Sequence, residues 1–207
     1  MTGREVRTGP AGASGHTPGG NTAQREDWRR ALHAASALLG PLAFWLPGRG
    51  GTLTLSGLAG FALFLEAWRH ASPAVHGLIA SAGRPVFRPI EDRGVSGPTA
   101  LACGYLLTWL LFEPAAAASA MVVAGLADPA AALLGRRFGN GQRKSAVGSA
   151  ACAVTAAGVL AAAGAPASTI VAGGIVAALA ERAPWRGADN VLVPLSVGLT
   201  IGMLGGP

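Results

Sequence analysis

Long apolar stretches without charge are the feature that most restricts how this chain can fold. No Asp, Glu, Lys or Arg lies within residues 146–180 or 191–207, and Arg49 alone interrupts residues 31–65. Charge-free stretches of about 17–25 residues are typical of helices that span a lipid bilayer. The pattern therefore predicts an all-α, polytopic integral membrane protein.

The composition agrees with a membrane protein. Only 13% of the 207 residues are charged, against about 25% in an ordinary soluble domain. A hydrophobic content of 51% excludes a disordered chain, and the composition also excludes a coiled coil or a disulfide-stapled mini-protein. Cys103 and Cys152 lie in apolar stretches, so we expect small buried side chains, with no disulfide or zinc site.

The chain divides into a tail and about seven predicted transmembrane helices. Residues 1–27 are expected to form a disordered N-terminal tail that lacks the apolar core of a signal peptide. Residues 28–207 are expected to form a transmembrane domain rich in Ala and Gly, which allow helices to approach closely. The predicted spans cover residues 31–47, 51–67, 95–112, 115–135, 147–163, 167–181 and 190–205.

The basic residues predict the orientation of these spans. With the N-terminus in the cytoplasm, all of the 16 Lys and Arg residues except Arg49 fall in cytoplasmic segments, which satisfies the positive-inside rule. The net charge of +6 is therefore expected to reflect topology or a phosphate-bearing ligand, and no nucleic acid partner is expected. Residues 73–80, in a long cytoplasmic loop, are expected to form a helix on the membrane surface.

Four carboxylates lie at a similar depth near the cytoplasmic ends of predicted spans: Glu66, Asp128, Glu181 and Asp189. A charged side chain at the centre of a membrane helix costs about 2.5–3.5 kcal/mol, so each one needs a partner or a function. Glu66 has Arg69 one helical turn away, and an ion pair would explain it. Asp128 is the deepest of the four.

A basic, glycine-rich segment follows Asp128. Residues 135–145 contain four cations and three glycines, a combination that suits phosphate binding because glycines expose backbone N–H groups and Arg and Lys neutralise charge. A basic stop signal at the membrane edge is the alternative interpretation. Arg29, Arg30 and His33 add a second polar group at the same level, and carboxylates beside such cations suggest a Mg²⁺–nucleotide site.

These residues carry a resemblance that covers about residues 28–200. The chain resembles the family of CTP-dependent lipid and polyprenol kinases that contains dolichol kinase, phytol kinase and the CTP-dependent diacylglycerol kinase. The matching motifs are Ala127-Asp128-Pro129, Gly135-Arg136-Arg137-Phe138-Gly139, Lys144-Ser145 and Gly148-Ser149, with Arg29-Arg30 and His33, Arg88-Pro89-Ile90-Glu91, Ser96-Gly97, Glu181, Asp189-Asn190 and Pro194. The family usually has Gly where this chain has Ala127, and Lys where it has Arg30.

The resemblance implies a membrane lipid kinase that transfers the γ-phosphoryl group of CTP, or of another nucleoside triphosphate, to the hydroxyl of a polyisoprenoid alcohol or diacylglycerol. It implies Mg²⁺ as cofactor and an active site on the cytoplasmic side of the cell's inner membrane. The implied catalytic residues are Asp128, Glu181 and Asp189, with Asp128 and Asp189 as metal ligands. The implied phosphate-binding residues are Arg29, Arg30, Arg136, Arg137, Lys144, Ser145, Gly148 and Ser149, and His33, Glu91, Gly135 and Asn190 are further candidates.

Two other functions fit parts of the pattern. Phosphatidate cytidylyltransferases resemble the same family and use CTP at a Mg²⁺-dependent membrane site, and they form CDP-diacylglycerol. A small membrane transporter is the third hypothesis, although transporters usually place ionisable residues near the middle of the membrane between repeats.

Overall fold

The computed structural model describes residues 19–82, 94–139, 144–183 and 187–206. Every regular element in these ranges is an α-helix, which confirms the predicted all-α class. The helices of the described ranges are α1 (Gly19–Ser36), α2 (Leu39–Trp45), α3 (Gly50–Ala71), α4 (Pro73–Ala82), α5 (Gly97–Leu111), α6 (Pro114–Phe138), α7 (Ala146–Ala162), α8 (Ala167–Glu181) and α9 (Asp189–Leu204).

Two helices in the described ranges are long and apolar enough to cross a membrane. They are α3, with 22 residues, and α6, with 25 residues. The helices α5, α7, α8 and α9 are also apolar but shorter. This architecture is compatible with a helical membrane protein, and the predicted segment 73–80 is helical as part of α4.

The first predicted span, residues 31–47, is divided between two helices. α1 ends at Ser36 and α2 begins at Leu39. The reason is Pro41, which has no N–H to bond the carbonyl of Ala37 and whose ring would clash with that carbonyl in a continuous helix. Proline is tolerated in the first turn of α2, where the N–H groups have no helical partner.

The predicted disordered tail extends too far toward the C-terminus. α1 begins at Gly19, whereas the tail was expected to reach residue 27. The segment before Trp28 contains good helix formers, and Glu26 lies one turn before Arg29 and Arg30, with which it forms ion pairs. Pairs at this spacing stabilise a helix. Residues 1–18 lie outside the described ranges.

Successive apolar helices run in alternating directions, so the bundle has two distinct ends. At one end, α1, α5, α7 and α9 begin, while α3, α6 and α8 end; this end carries most of the charged side chains and is called the basic end below. Contacts between elements fix this arrangement: Asp27 with Arg136, Glu66 with Thr99, Asn190 with Gly97, and Ser149 with Glu181. At the opposite end, Thr169 Oγ1 donates a hydrogen bond to Gly205 O at 2.7 Å.

Small side chains fill the interior, and large apolar side chains cover the outside. α6 is the central helix, and its Ala117, Ala120 and Ala127 are fully buried. By contrast, Trp45 is 81% exposed and Met203 is 74% exposed. Extended apolar surface is rare on soluble monomers, whereas small residues between helices and large ones outside suit a bundle in lipid.

The two cysteines are free, as predicted. Cys152 is fully buried on α7, and Cys103 is partly buried on α5.

Candidate functional site

Lys144 lies at the centre of a polar cluster at the basic end. Its Nζ donates hydrogen bonds to the carbonyl oxygen of Glu181 and, at 3.2 Å, to that of Ala183. These carbonyls lie at the C-terminus of α8, where C=O groups have no partner within the helix. The same Nζ is 3.7 Å from Glu181 Oε1 and 3.9 Å from Asp189 Oδ2. One ammonium group therefore joins carboxylates from α8 and α9.

Ser145, Gly148 and Gly135 determine where Lys144 is held. Ser145 Oγ accepts a hydrogen bond from Gly148 N at 3.0 Å and so caps the N-terminus of α7. A Cβ on Gly135 would lie 2.9 Å from Ser145 Oγ, and one on Gly148 would lie 3.0 Å from the carbonyl oxygen of Ala131. The lack of side chains at both glycines thus permits the close crossing of α6 and α7. These residues have a capping and packing role that places Lys144 beside α8.

Glu181 is buried where α8 ends. Its side chain uses both oxygens, because Oε1 faces Lys144 and Oε2 accepts a hydrogen bond from Ser149 Oγ at 3.3 Å. Arg182 Nη1 donates in turn to Ser149 Oγ at 3.2 Å. A buried carboxylate is stable only with such partners. Ser149 therefore lies between the carboxylate and a cation.

Asp128 lies on α6, directly before Pro129, which cannot donate a backbone hydrogen bond within the helix. Its side chain is partly buried and makes no hydrogen bond or ion pair with any part of the chain that the structure describes. Ala124 and Ala131, one turn before and one turn after Asp128 on the same side of α6, are buried. Asp128 thus lies on the inner side of α6, toward the basic end of the bundle.

Asp189 and Asn190 open α9 at the same end. Asp189 Oδ1 accepts a hydrogen bond from the backbone N of Asn190 at 3.1 Å. Asn190 Nδ2 donates to the carbonyl oxygen of Gly97 at 3.0 Å and so connects α9 to the start of α5. A Cβ on Gly104 would lie 2.5 Å from Asn190 O, so α5 and α9 approach closely just below this contact.

His33 reaches α6 one turn below Asp128. Its Nε2 lies 3.3 Å from the carbonyl oxygen of Ala124. Because a carbonyl oxygen only accepts, Nε2 is the donor in this contact. His33 therefore lies near the carboxylate cluster without touching it.

The sequence analysis missed a buried hydroxyl pair below this level. Tyr105, which is 1% exposed, donates from its hydroxyl to the carbonyl oxygen of Met121 at 3.1 Å. The same hydroxyl lies 3.1 Å from Ser36 Oγ. An isolated Tyr in an apolar segment was the available signal, since a buried hydroxyl needs a partner.

The arginines of α1 and of the end of α6 form a neighbouring group. Asp27 Oδ1 accepts from Arg30 at 2.8 Å and from Arg136 at 3.2 Å, so it joins the two helices. Arg29 pairs with Glu26 at 2.9 Å. Arg137 stacks on Phe138 at 5.4 Å from the ring centroid and is exposed. Arg137 therefore does not share in the ion pairs of Glu26 and Asp27 that are described here.

Glu66 belongs to a different cluster at the basic end. Its Oε1 pairs with Arg69 and lies 3.1 Å from His70 Nε2. Its Oε2 accepts from Ser96 N at 3.3 Å and from Thr99 Oγ1 at 3.0 Å. The predicted pairing of Glu66 with Arg69 is confirmed, and the carboxylate has the structural role of joining α3 to α5.

The contacts of Lys144, Ser149, Glu181 and Asp189 define a polar cluster at the same end of the bundle as Asp128, and we call it the Lys144 cluster. No group of three or more His, Cys, Asp or Glu side chains close enough to hold a metal ion occurs in the described ranges. A Mg²⁺ ion that also binds phosphates needs one or two protein carboxylates. The candidate Glu91, and the loop of residues 140–143, lie outside the described residues.

Comparisons with known proteins match this chain to no family model, no curated protein and no solved structure.

Proposed function

We propose that the chain is an integral membrane lipid kinase. It transfers the γ-phosphoryl group of CTP, or of another nucleoside triphosphate, to the hydroxyl of a polyisoprenoid alcohol or of diacylglycerol. The Lys144 cluster is the observation that carries the proposal, because a lysine contacts two carboxylates from separate apolar helices at one end of the bundle, the end at which Asp128 also lies. Buried charges in apolar helices are costly and are commonly functional.

The proposed topology has seven membrane crossings with the N-terminus in the cytoplasm. In support, the joined pair α1 and α2, together with α3 and α5–α9, makes seven helical segments that run in alternating directions. The described Lys and Arg side chains gather at the basic end, and Arg49 lies at the opposite end. By the positive-inside rule the basic end faces the cytoplasm, where a soluble nucleotide meets a membrane lipid. The membrane is the cell's inner membrane.

In the proposed reaction the hydroxyl oxygen of the lipid attacks the γ-phosphorus of the nucleotide. The bond from this phosphorus to the β–γ bridging oxygen breaks, and the nucleoside diphosphate leaves. The hydroxyl proton passes to a carboxylate, for which Glu181 is the candidate. Lys144 and the arginines Arg29, Arg30, Arg136 and Arg137 neutralise the phosphates, which is the main requirement for phosphoryl transfer.

The carboxylate oxygens of Asp128 and Asp189 suit Mg²⁺, a hard cation that prefers oxygen ligands. Asp128 has an acceptor group that no described residue uses, and Asp189 has Lys144 nearby to offset its charge. When bound, the metal would neutralise the phosphate groups of the nucleotide. The Lys144 ammonium would then offset the remaining negative charge of the carboxylates and the phosphates.

The position of the label in CTP distinguishes the candidate reactions. The purified chain in lipid nanodiscs is incubated with γ-labelled or α-labelled CTP, Mg²⁺ and a panel of lipid alcohols or phosphatidic acid. A kinase gives labelled lipid from γ-labelled CTP alone. Labelled lipid from α-labelled CTP would instead establish a cytidylyltransferase, and transport of a solute without nucleotide would support a transporter.

An Asp128→Asn variant tests the carboxylate that accepts no hydrogen bond from any described residue. We expect this variant to lose phosphoryl transfer while its expression and thermal stability stay unchanged. Glu113→Gln is the matched control, because it removes an exposed carboxylate at the opposite end of the bundle and should retain full activity. Unchanged turnover in Asp128→Asn would refute the role of Asp128.

A further inference from the structure

Two acidic residues of α1 form ion pairs with three arginines that the proposed function assigns to phosphate binding. The Glu26 carboxylate accepts hydrogen bonds from Arg29 at 2.9 and 3.0 Å through both oxygens, and it lies 3.5 Å from Arg30. Asp27 Oδ1 accepts from Arg30 at 2.8 Å and from Arg136 at 3.2 Å. Three guanidinium groups therefore meet two carboxylates.

The two carboxylates are more exposed to solvent than the arginine between them. The side chain of Arg30 is 11% exposed, whereas those of Glu26 and Asp27 are 40% and 65% exposed. Arg30 Nε is also buried and has no acceptor among the described residues. The buried arginine thus has unused donor capacity, and both carboxylates that pair with it lie next to water.

We propose that Glu26 and Asp27 compete with the phosphate-bearing ligand for Arg29, Arg30 and Arg136, and thereby set the affinity of the site. This inference rests on the proposed function. A guanidinium presents the same planar fork of N–H donors to a carboxylate and to a phosphate. Phosphate oxygens and these carboxylate oxygens are therefore alternative partners for the same donors, and the ligand binds when it displaces the carboxylates.

A purely structural role for the acidic pair makes the opposite prediction. If Asp27 serves only to connect α1 to α6, its loss loosens the contact between the two helices and weakens the binding of any ligand that touches both. If Asp27 is a competitor, its loss frees Arg30 and Arg136 and strengthens the binding of the ligand. The direction of the change in affinity therefore separates the two roles.

The test is calorimetric titration of the full chain in nanodiscs of zwitterionic lipid, with inorganic tripolyphosphate as the probe at low ionic strength. Since exposed ion pairs are individually weak, we expect Asp27→Asn and Glu26→Gln each to lower the Kd about threefold, and the double variant about tenfold. Glu113→Gln makes the same change of charge at the opposite end and should leave the Kd unchanged. Added salt should shrink the gain.

Substitution of Arg136 tests whether the gain in tripolyphosphate affinity depends on this arginine. Arg136→Gln should raise the Kd for tripolyphosphate. In the Arg136→Gln background, Asp27→Asn should lower the Kd by a smaller factor than in the wild type, because the effects of coupled residues are not additive. This inference is overturned if the wild type binds tripolyphosphate and Asp27→Asn binds it equally or more weakly. That result would leave the phosphate site of the proposed function intact. If neither the wild type nor the double variant binds, the phosphate site of the proposed function fails as well.

Discussion

Replacing Glu66 by Gln removes one charge from the ion pair that joins the end of α3 to the start of α5. Glu66 is 9% exposed and Arg69 is 5% exposed, so water does not solvate either group well. In Glu66→Gln the guanidinium of Arg69 keeps its charge and its hydrogen bond to Gly94 O at 2.8 Å, but it loses its carboxylate. The substituted amide also offers one acceptor oxygen where the carboxylate offered two.

The magnitude follows from the asymmetry of buried pairs. Removing one partner of a buried ion pair costs about 3–5 kcal/mol, because a charge remains buried without compensation. Replacing both partners by apolar or neutral groups is often close to neutral. We therefore expect Glu66→Gln to lower the free energy of unfolding by about 3 kcal/mol or more, and the double variant Glu66→Gln with Arg69→Met to recover most of this loss.

The assay is reversible unfolding in mixed micelles of lipid and SDS, followed by the fluorescence of the tryptophans. Glu113→Gln, at an exposed site, is the control for loss of a carboxylate without burial, and it should change stability by less than about 0.5 kcal/mol. The reasoning is refuted if Glu66→Gln behaves like this control. It is also refuted if the losses of stability in Glu66→Gln and in the single variant Arg69→Met simply add in the double variant.

Two further predictions concern the helix contacts around the Lys144 cluster. Ser145→Ala removes the cap of α7 and leaves Gly148 N buried without its acceptor, so unfolding in the same assay should become easier by about 1–2 kcal/mol; an unchanged free energy would show that the cap is not needed. Gly104→Ala places a methyl group 2.5 Å from Asn190 O, so it should separate α5 from α9 and reduce phosphoryl transfer. Gly57→Ala, where a Cβ meets nothing within 4 Å, should leave the transfer unchanged, and equal activity of both variants would contradict the packing argument.

The helices could be predicted because their signal is local. A charge-free apolar stretch between basic or turn residues marks a helix whatever surrounds it, and each predicted span corresponds to helical structure in α1–α3 and α5–α9. The division of the first span at Ser36 was missed, because the hydrophobic pattern continues across the break. The local signal for the break was Pro41.

The level of the polar residues along the bundle could be predicted, but their partners could not. Counting from the helix ends placed Asp128, Glu181 and Asp189 at one depth, and the structure brings Lys144 to the last two. The link from Ser36 to Tyr105 joins helices far apart in the chain, and neither residue belongs to a repeating pattern. The role of Asp27 was missed because its segment was assigned to the tail.

The pairing of Glu66 with Arg69 was accessible from the sequence, because residues three apart are neighbours on a helix. The additional donors from Ser96 and Thr99 were not, since they follow a loop whose path the sequence does not determine. Sequence reasoning thus identified ion pairs within a helix more readily than contacts between helices.

Mass spectrometry of the lipid product formed from CTP and a lipid alcohol tests most directly whether the charged residues at the basic end form a phosphoryl-transfer site. The account predicts that the alcohol gains one phosphoryl group with the wild-type chain and gains nothing with Asp128→Asn. A lipid that carries cytidine, or an unchanged alcohol across the whole panel with the folded wild-type chain, would contradict it.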